Sequence, residues 1–430
     1  MYSKLPLLCQ GKLATVQTPL RNTLIAKFPL RHFHHTTMSP SKVPRTNDGS
    51  TLLIPGPITL SPAVIDALGE QSVSHTSPAF AGVFQDALHK LRQVYQADTQ
   101  AGTPLVLSGS GTLGFDVLGG NLVRDRTQDK ILVLSTGFFS DELHDALAGC
   151  YVENPERQVT RLAAKRPGDS IPLAAIEAEL QREQYALVAM TQVDTSTGVL
   201  LDVQGVAEIA HRVSPETLVA VDTVCSLGCE EIKFKEWGLD MAFSASQKAV
   251  GAPPGLCLGM LSERAVQVAL ENTSAPGYYT SLKRWMPVLR AFESGKAAYF
   301  ATPPVQLVDA LDVALTEILD TEFQGLSGVA ARVAKHRDTS DRVKRHCTES
   351  LGLQLVSGTL ENSAHGLTAV YVPQPPQTIA QMHAQGYTIA GGIHSEIKTQ
   401  YIRIGHMGVS ACDDKLGHIA GCLGALDKSV

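Results

Sequence analysis

Ser244-Ala245-Ser246-Gln247-Lys248-Ala249-Val250-Gly251-Ala252-Pro253-Pro254-Gly255 sets a single lysine among small residues. Met241-Ala242-Phe243 before it reads as a short buried strand, and Pro253-Pro254-Gly255 after it reads as a turn. An ammonium at the end of a buried strand either finds a partner or is held for chemistry, because desolvating it alone is costly. An amine in such a place can attack a carbonyl and form a Schiff base. On its own, Lys248 reads better as a solvated loop residue, and it is the carboxylate upstream that overturns this.

Working outward, Leu218-Val219-Ala220-Val221-Asp222 is a β-branched run that ends in a carboxylate. Open α/β sheets collect their ligands at that strand edge. Further upstream, Pro104-Leu105-Val106-Leu107-Ser108 runs into Gly109-Ser110-Gly111-Thr112-Leu113-Gly114 and then an apolar helix. Glycine backbone, a helix N-terminus and the Ser110 and Thr112 hydroxyls suit an anion. The spacing Gly109, Gly111, Gly114 formally fits a dinucleotide turn, which expects an acidic residue at the end of the next strand. That strand, Ile131-Leu132-Val133-Leu134, ends in Ser135-Thr136-Gly137. The turn is therefore read as a cup for one phosphate. A lysine, a carboxylate and a phosphate cup are the three fixtures that pyridoxal 5'-phosphate (PLP) needs.

The order of elements points to an α/β fold. Apolar strands at 187–190 and 218–221 flank a helical pattern over 203–213, the alternation of a mostly parallel sheet. From about residue 304 long helical patterns (305–319, 328–346) lead to short strands at 367–372 and 401–404 and a final helix, a second α+β domain. Thr191-Gln192-Val193-Asp194-Thr195-Ser196-Thr197-Gly198 is a polar strand-end loop able to reach the lysine. In the second domain Arg403 lies between Ile402 and Ile404, either as a structural ion pair or as a clamp for a substrate carboxylate.

With 430 residues, 44% of them apolar, the chain can bury a large core. A net charge of −6 and the lack of a basic run in the body argue against nucleic-acid binding, and no apolar run is long enough for a membrane span. Eight scattered cysteines without CxxC spacing read as free thiols, with no metal site expected. Residues 1–47 carry seven basic residues and no acidic one, the composition of a mitochondrial transit peptide. A mitochondrial matrix protein is the expectation, with Met38 as a second start for a cytosolic or peroxisomal form. The arm Leu52-Leu53-Ile54-Pro55-Gly56-Pro57 is held extended by its prolines.

Taken together, Ser246-Gln247-Lys248-Ala249 with Ala252-Pro253-Pro254-Gly255, Val221-Asp222-Thr223-Val224 with Ser226-Leu227-Gly228, Ser108-Gly109-Ser110-Gly111-Thr112, Thr197-Gly198-Val199-Leu200 and Arg403-Ile404-Gly405 resemble the class V aminotransferases. The resemblance runs from about Leu52 to near the C-terminus. It implies a PLP-dependent fold-type I homodimer, with a large domain (48–321, including the arm) built on a mostly parallel seven-stranded sheet and a smaller C-terminal domain (322–430). It further implies that Lys248 carries PLP and moves the substrate proton, that Asp222 holds the ring nitrogen and that Val224 packs on the ring. Phe138 would stack on the other face, and Ser110, Gly111, Thr112 and Gln247 would hold the phosphate, joined by Tyr299 and Thr302 of a second subunit. Thr195 and Ser226 would bond near the cofactor or substrate, Ser74 would line the substrate pocket and Arg403 would grip the carboxylate.

Phe138 stands where close relatives often have tryptophan, and Ser74 where many have glycine; both bear on substrate preference rather than reaction type. The expected reaction moves an amino group from alanine to glyoxylate, with serine–pyruvate or serine–glyoxylate transfer in the same pocket as the alternative. Cysteine desulfurase chemistry would call for histidine immediately before the lysine and another on the ring, where this chain has Gln247 and Phe138. A silent assembly protein would have no use for Lys248, Asp222 and Arg403 together.

Overall fold

The computed structural model describes residues 48–97, 102–151, 155–273 and 277–430. The expected leader, with Cys9 and Met38, lies outside the described residues.

Seven strands form the main sheet: β1 (Thr103–Ser108), β2 (Ile131–Ser135), β3 (Val159–Ala163), β4 (Leu187–Thr191), β5 (Leu218–Asp222), β6 (Met241–Ala245) and β7 (Leu256–Leu261). Their spatial order is β1-β7-β6-β5-β4-β2-β3. Only β7 runs against its neighbours, so the sheet is mostly parallel as expected. β2, β4 and β5 are buried along their whole length, which explains their unbroken apolar runs: a parallel strand is covered on both faces. The register sets Thr191 and Phe243 on either side of Asp222, at the carboxyl edge of the sheet.

Helices cover the sheet. Val203–Val213 is bounded as its pattern predicts and starts at Asp202, whose side chain accepts from the Gly205 amide. Pro78–Val94 is capped by Ser77, with Pro78 in the first turn, and packs Phe84 on Phe292 with ring centroids 4.6 Å apart. Phe292 belongs to a helix the sequence reading did not anticipate, Leu282–Glu293, which has Pro287 inside it. Pro287 reads locally as a breaker; burial of Leu282, Trp285, Met286, Val288, Leu289 and Phe292 offsets the backbone bond it removes.

The C-terminal part builds a second sheet, in which Tyr401–Gly405 lies between Leu367–Tyr371 and Ala390–Gly391, antiparallel to both. Its own core gathers Val343, Val370, Ile402, Ile404 and Leu426. Leu53 joins that core, and Thr51–Leu52 pairs with Tyr387–Thr388. The arm therefore extends from the first sheet's sequence neighbourhood to the second sheet, a join its proline pattern did not reveal. Among the described residues seven cysteines are free, and no helix is long and apolar enough to cross a membrane.

Candidate active site

The carboxyl ends of the central strands and the strand Tyr401–Gly405 meet through one loop. Asp194 is fully buried and anchors it: one oxygen accepts from the Ser196 amide (3.0 Å) and hydroxyl (2.6 Å), the other from the Ser140 amide (3.0 Å) and hydroxyl (3.1 Å). The Tyr401 hydroxyl donates to the Ser196 carbonyl, and Arg403 Nη1 donates to the Thr195 carbonyl at 3.2 Å. The loop seen in the sequence as merely able to reach the site thus carries Arg403 to it.

Arg403 sits opposite Ala369 and Ala390, whose small side chains leave it room. Its Nε donates to the Gly391 carbonyl at 2.8 Å. The side chain is only 8% exposed, and among the described residues it pairs with no carboxylate, so the structural ion pair is not formed. Burial pulls the guanidinium below its ordinary value, with the neighbouring Tyr401 opposing that pull. A buried cation without a counter-ion is costly, and its natural complement is an incoming carboxylate.

Asp222 closes β5 and is 3% exposed. One oxygen accepts from the Val224 amide at 2.8 Å. Burial pushes its carboxyl up to about 7, the Val224 amide opposes, Asp194 adds to the rise and Lys248 offsets part of it. A carboxylate so placed gains most from a cationic nitrogen beside it. Lys248 lies three residues past β6, half-buried, with its ammonium donating to the Pro55 carbonyl. This contact with the arm is the part of the site that sequence reasoning missed; the glycine between prolines, Pro55-Gly56-Pro57, was its only signal.

Around this pair the cup is ready for a polar guest. Buried Ser226 Oγ, Gln247 Oε1 and Thr136 Oγ1 have no hydrogen-bond partner among the described residues. Such atoms each cost about 1–3 kcal/mol when left unsatisfied, and those in the loops around Lys248 and Asp222 are ones that a ligand's polar groups can satisfy. A Cβ on Gly111 would come 2.6 Å from Val224, so only glycine lets the turn close over the valine. The exposed Ser110 and Thr112 hydroxyls lie 2.6 Å apart before the helix Leu113–Leu122. Phe138, 36% exposed at the start of Phe138–Ala148, donates its amide to Ser196 Oγ at 2.9 Å and meets Phe139 edge-on. Thr195 is buried beside Cys225.

Ser74, Tyr299 and Thr302 gather elsewhere in the chain. Ser74 bonds to Thr76 at 3.0 Å, His75 packs on the Tyr299 ring at 5.4 Å, and the Tyr299 hydroxyl lies 3.5 Å from that of Thr302. Tyr299 is 63% exposed, and no hydrogen bond joins these three to Lys248, Asp222 or Arg403.

Residues 63–334 match the family model described as aminotransferase class-V. The chain belongs to the class V aminotransferases. Among curated class V relatives, "Alanine--glyoxylate aminotransferase 1" of Saccharomyces cerevisiae is 46% identical over 383 residues, spanning 88% of this chain and 97% of the yeast protein. An alanine–glyoxylate aminotransferase from a Nostoc species superposes with a TM-score of 0.78 at 25% identity, covering 94% and 100% of the two chains. The aspartate aminotransferase of subgroup IV from Thermus thermophilus gives 0.75 at 28% identity, covering 88% and 99%. Class V aminotransferases depend on PLP and share fold type I, and the orphaned polar atoms, the glycine cradle at Gly111 and the Asp222–Lys248 pair fit that cofactor.

Proposed function

We propose that this chain is an alanine–glyoxylate aminotransferase, converting alanine and glyoxylate to pyruvate and glycine. The observation that carries the reading is the buried, carboxylate-free guanidinium of Arg403, delivered by the Thr195–Ser196 loop to the edge that holds Asp222. The 46% identity to the yeast protein of that name supports this choice of donor and acceptor.

PLP, when bound, supplies an aldehyde for amino groups and a conjugated ring that stores an electron pair. Lys248 would hold it through its amine and then move a proton at the substrate Cα. Asp222 would keep the ring nitrogen protonated, and Val224 and Phe138 would confine the ring between them. Ser110, Gly111, Thr112 and Gln247 would hold the phosphate, and Thr195 and Ser226 would orient polar groups beside it. Arg403 would grip the substrate carboxylate in two parallel hydrogen bonds, fixing Cα within reach of the lysine.

Tyr299, Thr302 and Ser74 belong to this reading through a homodimer with shared sites, in which the exposed face carrying them meets the partner's cup. A large domain over 48–321 and a small one over 322–430, and a mitochondrial matrix location directed by residues 1–47, complete it. Sedimentation at twice the chain mass and the destination of a reporter fused to residues 1–47 check the last two points of assembly and targeting.

The deciding experiment follows the absorption of the PLP-loaded protein. Alanine alone should remove the band of the Lys248-bound cofactor, and glyoxylate should restore it with release of glycine. A band that ignores alanine but yields to another amino acid would replace the donor; a band that yields to none would overturn the reaction class. Arg403→Lys should raise KM for both substrates roughly tenfold to a hundredfold, since a point charge replaces a planar fork. Steady-state kinetics with alanine and glyoxylate measure it, and an unchanged KM would remove Arg403 from the clamp.

A further inference from the structure

The arm between residues 53 and 58 is pinned at both ends of the site. At one end the Gly405 amide, two residues beyond Arg403, donates to the Leu53 carbonyl at 2.6 Å. At the other, the Ile58 amide donates to the Gln247 carbonyl at 3.2 Å, next to Lys248. Between them Pro55 offers its carbonyl to the Lys248 ammonium. Gly56 has φ +97°, a conformation that side chains resist, and a Cβ there would lie 2.8 Å from Lys248 Nζ, 2.9 Å from Cε and closer still to Cδ. The lysine side chain thus runs through a lane that exists because residue 56 has no side chain. A Cβ on Gly405 would lie 2.5 Å from the Ile54 carbonyl carbon and 2.9 Å from the Pro55 nitrogen, so the strand carrying Arg403 presses directly on the arm.

We infer that the arm is a positioning device: Gly56 keeps open the lane along which Lys248 swings, Pro55 receives its ammonium whenever the amine is not bonded elsewhere, and Gly405 ties this to the strand of Arg403. The inference rests on the transaminase reading. In this scheme Pro55 and Gly56 touch neither substrate nor cofactor; Pro55 meets only the lysine amine, and both act through that lysine. A lysine that has just taken up a proton needs a nearby neutral acceptor, and a backbone carbonyl held at both ends supplies one without reorganisation.

Gly56→Ala tests this. Its half-reaction with alanine, followed in a single turnover, should slow at least tenfold while cofactor content stays at the wild-type level and the alanine KM changes less than about threefold. The decisive comparison is made in a Lys248→Ala background, with ethylamine supplied to replace the missing amine. There Gly56→Ala should cost less than twofold, because the side chain it obstructs is gone. A cost that persists in that background, or a wild-type half-reaction rate in Gly56→Ala, would overturn the inference. Should Gly56→Ala yield no folded protein, Gly405→Ala moves the arm from the other end: slowed proton transfer together with a raised KM is expected, and a wild-type rate would overturn it. Failure of the underlying reading is separate, since wild-type protein would then not respond to alanine at all.

Discussion

Lys248→Ala should lower alanine–glyoxylate transamination by about a thousandfold or more, because it removes both the covalent hold on the cofactor and the base that moves the Cα proton. General acid–base catalysis alone contributes roughly 10²- to 10⁴-fold, and covalent attachment adds to it. The folded chain should tolerate the change: Lys248 is half-buried, and its side chain's hydrogen bond goes to a single backbone carbonyl, that of Pro55. Two measurements together decide it. Borohydride reduction followed by intact mass should show cofactor fixed to wild-type protein and none fixed to the variant. Turnover within tenfold of wild type would mean that another group moves the proton, and would remove the mechanism proposed for this site.

The second large effect is expected at Asp222. Asp222→Asn should lower turnover by roughly 10²-fold or more at saturating PLP, since a neutral amide cannot hold the ring nitrogen's proton by charge. It should also change the pH dependence of stability in cofactor-free protein. The folded carboxyl is raised from 3.8 to about 7, chiefly by burial, so the folded state favours the protonated form. The stability this group contributes is therefore full below its unfolded value and is lost as pH rises through about 7. At 1.36 kcal/mol per unit the swing is roughly 4 kcal/mol as an upper bound. Asparagine carries no charge to bury, so the difference in Tm between variant and wild type should move in the variant's favour between pH 4 and pH 8. Added PLP should reverse that trend in the wild type by bringing a cation to the carboxylate. A Tm difference that does not vary with pH would show that Asp222 is ionised against an existing partner, which would undercut its place at the ring nitrogen.

These effects share a physical origin with the orphaned hydroxyls nearby. A protein interior pairs its polar groups, and among the described residues this site leaves Ser226, Gln247 and Thr136 with polar atoms unmatched while burying the Arg403 guanidinium and the Asp222 carboxylate without a salt bridge. Stability is given up locally where a ligand is to bind, and the cofactor-free protein should be correspondingly the less stable form.

Much of this was legible from local sequence. The strand-ending position of Asp222, the bounds of the helix Val203–Val213 and the lysine just past Met241–Ala245 follow from periodicity and chain chemistry, since a doubly covered strand must be apolar throughout and a polar residue marks its end. The helix Leu282–Glu293 was not legible, because Pro287 argues against it locally and only burial against neighbours such as Phe84 outweighs that. Arg403 could be named as a clamp or an ion pair, and its sequence neighbours could not choose between them; the choice depends on which distant groups pack around it, and those are the Thr195 and Gly391 carbonyls. The Pro55 contact to Lys248 spans 193 positions of sequence, and nothing in the composition of the arm encodes where its carbonyls point. Local sequence, then, determined which residues carry charge and which elements present them, because those depend on neighbours a few positions away. Tertiary packing alone decided which charges are left unpaired, because that depends on which atoms the fold brings near and which it keeps away.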